Sequence, residues 1–269
     1  MTRYRQDIGP GIHLSYLDRG RGQPLLLIHG FTGTAESNLG GVIAELQTDY
    51  RLIAPDLRGY GASRPPNRDF PPDFYQRDAD DLAALLDALD CGPVFVLGYS
   101  DGAEAALLLA ATRPDLVHGV VAWGVSGVIS PEELAKVQTW LPVSAWGEDD
   151  EEWRQEIIRN QGEEQLEPLI TGWVSAAQEI YRRGGNISYE ESARITCPTL
   201  LLNGDQEVGN TVRDVTALAE RIPDCRLVFI ADSGHPIQRD QPASLYRHIR
   251  AFITGHAAPA SWANSPTVQ

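Results

Sequence analysis

Short apolar runs alternate along this chain with stretches whose apolar residues recur at helical spacing. Residues 24–30 (PLLLIHG) form an apolar run that ends in glycine, which predicts a buried strand. Residues 51–56 (RLIAPD), 93–98 (PVFVLG), 117–124 (VHGVVAWG), 198–204 (PTLLLNG) and 226–232 (RLVFIAD) read the same way. Between them, 74–89 carries Leu82, Leu85, Leu86 and Leu89 as one helical stripe. Residues 103–112 (AEAALLLAAT) predict an alanine- and leucine-rich helix, and 210–221 and 239–254 two more. Strands alternating with helices imply an α/β architecture, a mostly parallel central sheet with helices on both faces.

One block breaks the alternation. From Ser126 to Thr196 no strand pattern stands out, while Trp140, Trp146, Trp153 and Trp173 and the acidic run 148–153 (EDDEEW) fall there. The block reads as a helical insertion, 126–196, between two strands of a core made of 1–125 and 197–255. It is expected over the carboxyl ends of the strands, where open α/β sheets hold their sites. The acidic run reads as a solvated helix face. Residues 256–269 read as a loose tail.

Charge and cysteine usage narrow the partners. The net charge is −15, with 37 acidic against 22 basic side chains, and Lys136 is the single lysine. Nucleic acid and anionic membranes carry the same sign and are excluded as expected partners. No run approaches the roughly 18 apolar residues of a membrane span, and the amino terminus lacks a secretory apolar stretch. Cys91, Cys197 and Cys225 are odd in number and widely spaced, so neither a disulfide framework nor a metal site is expected. A cytoplasmic monomer fits this usage.

The sharpest chemical signal is Gly98-Tyr99-Ser100-Asp101-Gly102, between a predicted strand and a predicted helix. That is the setting of a nucleophile elbow, in which small flanking residues let strand and helix pass closely. An activated serine needs a base, and the base an orienting acid. His235 follows the strand 226–232 in a Ser-Gly-His-Pro turn, and the order serine, acid, histidine selects it over His13, His29, His118, His248 and His256. The loop after 198–204 offers two carboxylates, Asp205 and Glu207. His29 is expected to shape its loop so that the Phe31 N–H faces the site, where it and the Asp101 N–H would form an oxyanion hole. Arg58-Gly59-Tyr60-Gly61 reads as scaffold, and Trp140, Trp146 and Trp173 as candidates to line the pocket.

On the stretches 58–81, 98–124, 184–188 and 197–207 and the Ser-Gly-His turn, the sequence resembles the biphenyl-hydrolase-like group of the α/β-hydrolase superfamily. The resemblance implies an α/β-hydrolase fold with a helical cap, and a serine esterase using no cofactor. Ser100 and His235 carry over directly. The group's acid lies three residues after the glycine, at Glu207, where it has aspartate; Asp205 remains the alternative. A carboxylate beside the nucleophile, Asp101, is associated in the group with the α-amino group of amino-acid esters. At about 4 Å and an effective dielectric near 20, a carboxylate attracts an ammonium by about 4 kcal/mol before desolvation. The expected partners are thus a small-molecule ester, with a free α-amino group, and water. The other readings are a general carboxylesterase or lactonase, a carbon–carbon bond hydrolase of the same fold, and a ligand-binding receptor with a vestigial triad.

Overall fold

The computed structural model describes residues 2–256; the rest of the expected tail, from 257 onward, lies outside the described residues. In chain order the elements are β1 (Tyr4–Gly9), β2 (Ile12–Arg19), β3 (Pro24–Ile28), α1 (Ala35–Leu46), β4 (Arg51–Pro55), α2 (Phe74–Ala88), β5 (Val94–Tyr99), α3 (Asp101–Thr112) and β6 (Val117–Trp123). There follow α4 (Pro131–Gln138), α5 (Glu151–Gln161), α6 (Glu163–Arg182), β7 (Thr199–Gly204), α7 (Val212–Arg221), β8 (Cys225–Ile230), α8 (Ile237–Asp240) and α9 (Pro242–Gly255).

The eight strands form one sheet in the order β1-β2-β4-β3-β5-β6-β7-β8. Pairing is antiparallel for β1–β2 and β2–β4 and parallel from β4 to β8. This is the α/β-hydrolase fold. Helices cover both faces, so the central strands are buried on both sides and read as continuous apolar runs. Alternation still decides the partners. Leu26 and Ile28 of β3 join the core with Leu82, Leu85 and Leu86 of α2 and the alanines and leucines of α3. Leu25 and Leu27 join Leu39, Val42 and Leu46 of α1 and Leu245, Ile249 and Ile253 of α9.

The sequence reading omitted β1 and α1. β1 is an edge strand with mostly exposed polar side chains, so it carries no apolar run. The interior of α1 holds Gly40-Gly41, which breaks its helical stripe; its start is fixed by a capping box, with Thr34 Oγ1 accepting the Ser37 N–H and Ser37 Oγ accepting the Thr34 N–H. The expected helix 239–254 is two helices, α8 and α9, separated at Gln241. Between β6 and β7 the named elements are helical, with one isolated bridge, Val128 to Asn186. No helix among the described residues is long and apolar enough to cross a membrane.

A buried ion pair braces the approach to the site. Arg68 donates to both oxygens of Asp78 at 2.7 and 2.6 Å, and both side chains are almost wholly buried. The rings of Tyr60, Phe70 and Phe74 surround the guanidinium at 4.9, 5.1 and 5.2 Å. Arg58 pairs with Asp81 of α2. The Arg58-Gly59-Tyr60-Gly61 stretch thus sits in a packed, paired loop.

Candidate active site

β5 ends at Tyr99 and α3 begins at Asp101, so Ser100 alone turns the chain from strand to helix. Its φ of 55° and ψ of −123° lie where a non-glycine residue persists only if its surroundings impose it. A Cβ on Gly98 would come within 2.4 Å of the Gly102 carbonyl oxygen, and one on Gly102 within 2.4 Å of the Ile28 carbonyl oxygen. Both positions require glycine for strand and helix to pass. The Ser100 N–H donates to Trp123 C=O of β6 at 2.9 Å, which fixes the turn from the neighbouring strand.

The loops after β7 and β8 bring the other two groups. His235 Nε2 lies 3.0 Å from Ser100 Oγ, and His235 Nδ1 lies 2.5 Å from Glu207 Oε2. An ionised carboxylate only accepts, so Nδ1 carries the proton and the Nε2 lone pair faces the serine hydroxyl. Glu207 Oε1 accepts the N–H groups of Val208 and Gly209 at 2.9 and 2.8 Å, and Lys136 Nζ of α4 lies 3.6 Å away. Burial by itself would raise the Glu207 carboxyl. The His235 bond and charge, Lys136 and the Gly209 N–H outweigh it and hold the carboxyl at about 2. Asp205 does not reach the imidazole. It is exposed, and its Oδ1 accepts the Ser233 N–H at 3.4 Å.

The parallel register sets a second loop beside the elbow. Ile28 of β3 pairs with Gly98 of β5, so 29–31 and 99–101 leave the sheet side by side. The N–H groups of Phe31 and Asp101 have no hydrogen-bond partner among the described residues, and both residues line the cavity in front of Ser100. His29 is fully buried, with Nδ1 2.8 Å from Gly30 C=O and Nε2 accepting the Leu57 N–H at 2.9 Å. Burial lowers its pKa, which favours the neutral ring in this position.

The cavity has a volume of about 190 Å³. Ser100, Asp101 and His235 open into it, and Phe31, Tyr75, Trp140, Trp153 and Trp173 form its aromatic wall. Phe31 stacks on Trp140 with centroids 6.0 Å apart and lies 5.4 Å from Trp173. Trp146, a candidate from the sequence, is not on the wall. It stacks on Trp153 at 4.9 Å and donates its indole N–H to Trp140 C=O, so it backs the ring that does line the cavity.

Asp101 is 6% exposed. It accepts the Tyr75 hydroxyl at 2.9 Å and the Trp173 indole N–H at 3.0 and 3.2 Å. Burial pushes its carboxyl up, against the lowering effect of Tyr75, Arg68 and Trp173, to about 6. Among the described residues it makes no ion pair.

Sequence reasoning missed Tyr75, Trp153 and Glu104. Glu104 is the second charge of a helix otherwise made of small and apolar residues and Thr112, one turn after Asp101 and on the same face, and that was the available signal. It is buried, accepts the Gly127 N–H at 2.9 Å and the Ser188 hydroxyl, and is raised by burial to about 7. Tyr75 and Trp153 carried no comparable signal, because aromatic residues on helices are more often core. Among the described residues no group of three or more His, Cys, Asp or Glu could hold a metal ion.

A profile of the alpha/beta hydrolase family matches residues 25–248. The chain belongs to this family. It falls in the biphenyl-hydrolase-like group and is a hydrolase. It is 34% identical over 246 residues to the mouse (Mus musculus) serine hydrolase BPHL, covering 90% of this chain and 84% of that protein. The human (Homo sapiens) serine hydrolase BPHL is 34% identical over 200 residues, 73% of this chain and 68% of the relative. A further relative, the 2-hydroxymuconate semialdehyde hydrolase of Pseudomonas sp. (strain CF600), is 37% identical over 130 residues, 47% of this chain and 45% of that one. Among solved structures, a thermophilic esterase from Thermogutta terrifontis superposes on this hydrolase with a TM-score of 0.71 and 25% identity, over 96% of this chain and 100% of that one.

Proposed function

We propose that this hydrolase cleaves carboxylic esters of α-amino acids that carry a free amino group. The observation that carries the reading is the pairing of two groups in one cavity. The Ser100 hydroxyl is hydrogen-bonded to a histidine and carboxylate relay, and beside it stands the Asp101 carboxylate, which makes no ion pair among the described residues. A substrate ammonium at Asp101 would bring the ester carbonyl of the same amino acid to the serine one residue away. The aromatic wall suits an aliphatic or aromatic side chain. The helices between β6 and β7 act as the cap that supplies Trp140, Trp153 and Trp173.

The chemistry is two-step acyl transfer. Ser100 Oγ attacks the ester carbonyl as its proton passes to His235 Nε2. Glu207 holds the imidazole in the required tautomer and stabilises its charged form. The N–H groups of Phe31 and Asp101 donate to the oxyanion. When the tetrahedral intermediate collapses, His235 gives the proton to the departing alcohol oxygen. Water then attacks the acyl-serine with the same proton relay, releasing the acid and restoring Ser100.

A matched-pair assay tests the reading. The enzyme receives L-phenylalanine benzyl ester and its N-acetylated counterpart, with Ser100→Ala as blank and Asp101→Asn alongside. The expected result is a kcat/KM at least tenfold higher for the free amine, erased by Asp101→Asn. Equal cleavage of both esters would reduce the activity to general ester hydrolysis. Inertness toward both would move the reading to the carbon–carbon bond hydrolysis that the same fold allows, with 2-hydroxymuconate semialdehyde, the compound in the name of the Pseudomonas relative, as the next substrate to try.

A further inference from the structure

Phe31 can donate its N–H to an oxyanion only while the loop from Gly30 to Thr34 keeps its shape. Thr32, the next residue, has a φ of 59°, a left-handed conformation that a β-branched residue adopts only under constraint. Part of the constraint is local, since Thr32 Oγ1–H donates to Phe31 C=O at 2.7 Å. The remainder comes from α5, more than a hundred residues away. Trp153 donates its indole N–H to Thr32 Oγ1 at 3.1 Å. Gln161, the last residue of α5, is 1% exposed and spends its whole amide on loop backbone. Its Nε2 donates to Thr32 C=O and Gly33 C=O, each at 3.0 Å, and its Oε1 accepts the Gly61 N–H at 2.9 Å. The main-chain carbonyl of Gln161 in turn accepts from the Arg64 guanidinium.

A buried amide with every partner satisfied specifies one backbone arrangement, whereas an apolar side chain of similar size would only fill the space. Gln161 does not line the cavity, so it has no direct contact to offer a substrate. We propose that Gln161 is the positioning residue of the oxyanion loop: its amide grips Thr32 and Gly33 and so aims the Phe31 N–H at the reacting carbonyl oxygen. The inference rests on the reading of Phe31 as an oxyanion donor. It makes the α5 helix part of the rate machinery as well as of substrate choice.

Such a residue acts on the transition state and not on ground-state binding, so its loss appears in kcat rather than KM. The test uses the full chain with p-nitrophenyl acetate, an activated ester that does not depend on amine recognition, and a boronic acid that mimics the tetrahedral intermediate. Gln161→Met keeps the volume and removes all three bonds; Gln161→Glu keeps the acceptor for Gly61 and sets an oxygen against the two carbonyls. Both are expected to lose about 10- to 100-fold in kcat, less than the roughly 100- to 1000-fold lost when an oxyanion donor is removed outright, because the Phe31 N–H is misaimed and not deleted. KM stays within about threefold, and boronate affinity falls by a factor similar to the loss in kcat. A soluble Gln161→Met with wild-type kcat overturns the proposal whatever its Tm, and so does a rise in KM alone. Should neither variant fold, Arg64→Ala, which loosens Gln161 through its main-chain carbonyl and through Gly61, whose C=O accepts from Arg64 Nε at 3.3 Å, is expected to give a milder form of the same split; unchanged kcat there also overturns it. Wild-type protein that fails to cleave the activated ester sinks this proposal and the esterase reading together, whereas active wild type with unaltered variants sinks this one alone.

Discussion

The indole N–H of Trp173 reaches both oxygens of Asp101, at 3.0 and 3.2 Å. A residue of α6 therefore holds the carboxylate that stands next to Ser100 at the start of α3. The bond favours the charged carboxylate and works against the burial that lifts its pKa to about 6.

Two consequences follow for kinetics. Asp101 binds an ammonium only when ionised, so the preference for free-amine over N-acetylated esters is expected to fall as pH drops through about 6. Trp173→Phe removes a bond to the charged form, so Asp101 then protonates more readily and the loss of preference begins at higher pH. The measurement is the ratio of kcat/KM for the two esters between pH 5 and 8. A ratio flat with pH, or identical in Trp173→Phe, would disprove the role of Asp101.

The two carboxylates after β7 give opposite outcomes. Glu207→Gln keeps the shape but cannot hold the imidazole in the needed tautomer, and kcat is expected to fall by roughly a thousandfold or more, by analogy with amide replacement of a triad acid. Asp205→Asn alters a loop contact 3.4 Å long and leaves kcat within about threefold, with a stability change of about 0.5 kcal/mol or less. Steady-state kinetics on the two purified variants separates them, and comparable losses would contradict the geometry.

Glu104 gives the fold a pH-dependent component. Burial raises its carboxyl to about 7, whereas the unfolded chain titrates near 4.3, so the folded state holds the proton more tightly between those values. The contribution of Glu104 to stability is therefore greatest below about 4.3, declines as pH rises, and is flat above about 7. Glu104→Gln does not titrate, so its Tm relative to wild type is expected to rise between pH 4.5 and 8, at about 2–4 °C per kcal/mol for a chain of this size. Thermal melts of both proteins across that range would show a constant difference if Glu104 were not shifted.

The Arg68–Asp78 pair is almost fully buried. Removing one partner strands the other charge, and Arg68→Leu or Asp78→Leu alone is expected to cost about 3–5 kcal/mol. The double variant removes both charges and recovers a substantial part of that loss. Urea unfolding of the three variants measures the coupling, and simple additivity of the single effects would count against a direct pair.

The loops that bring Ser100, Glu207 and His235 together were legible because each is tied to a strand end by a local rule. Gly98 and Gly102 announced the turn at Ser100, and the strands before Glu207 and His235 set those residues at the same edge of the sheet. What the sequence could not disclose was contact between distant segments. Tyr75 meets Asp101, Gln161 meets Thr32 and Trp153 replaces Trp146 on the wall, each through helix orientation that no periodicity records. β1 was illegible for a different reason, since an exposed edge strand shows no buried run to detect.

The tryptophans of the wall, with Trp146 behind them, also have an optical consequence. Trp146 and Trp153 lie stacked at 4.9 Å, and Trp140 lies 5.1 Å from Trp153 and 5.4 Å from Trp173, so excitation absorbed by any one of them is shared among all four. Two further links tie this antenna to the reactive end of the cavity, the Trp173 bond to Asp101 and the Trp153 bond to Thr32. The hydrolase thus carries its own fluorophore in the cavity wall, and its emission is expected to change, without any label, when a ligand enters.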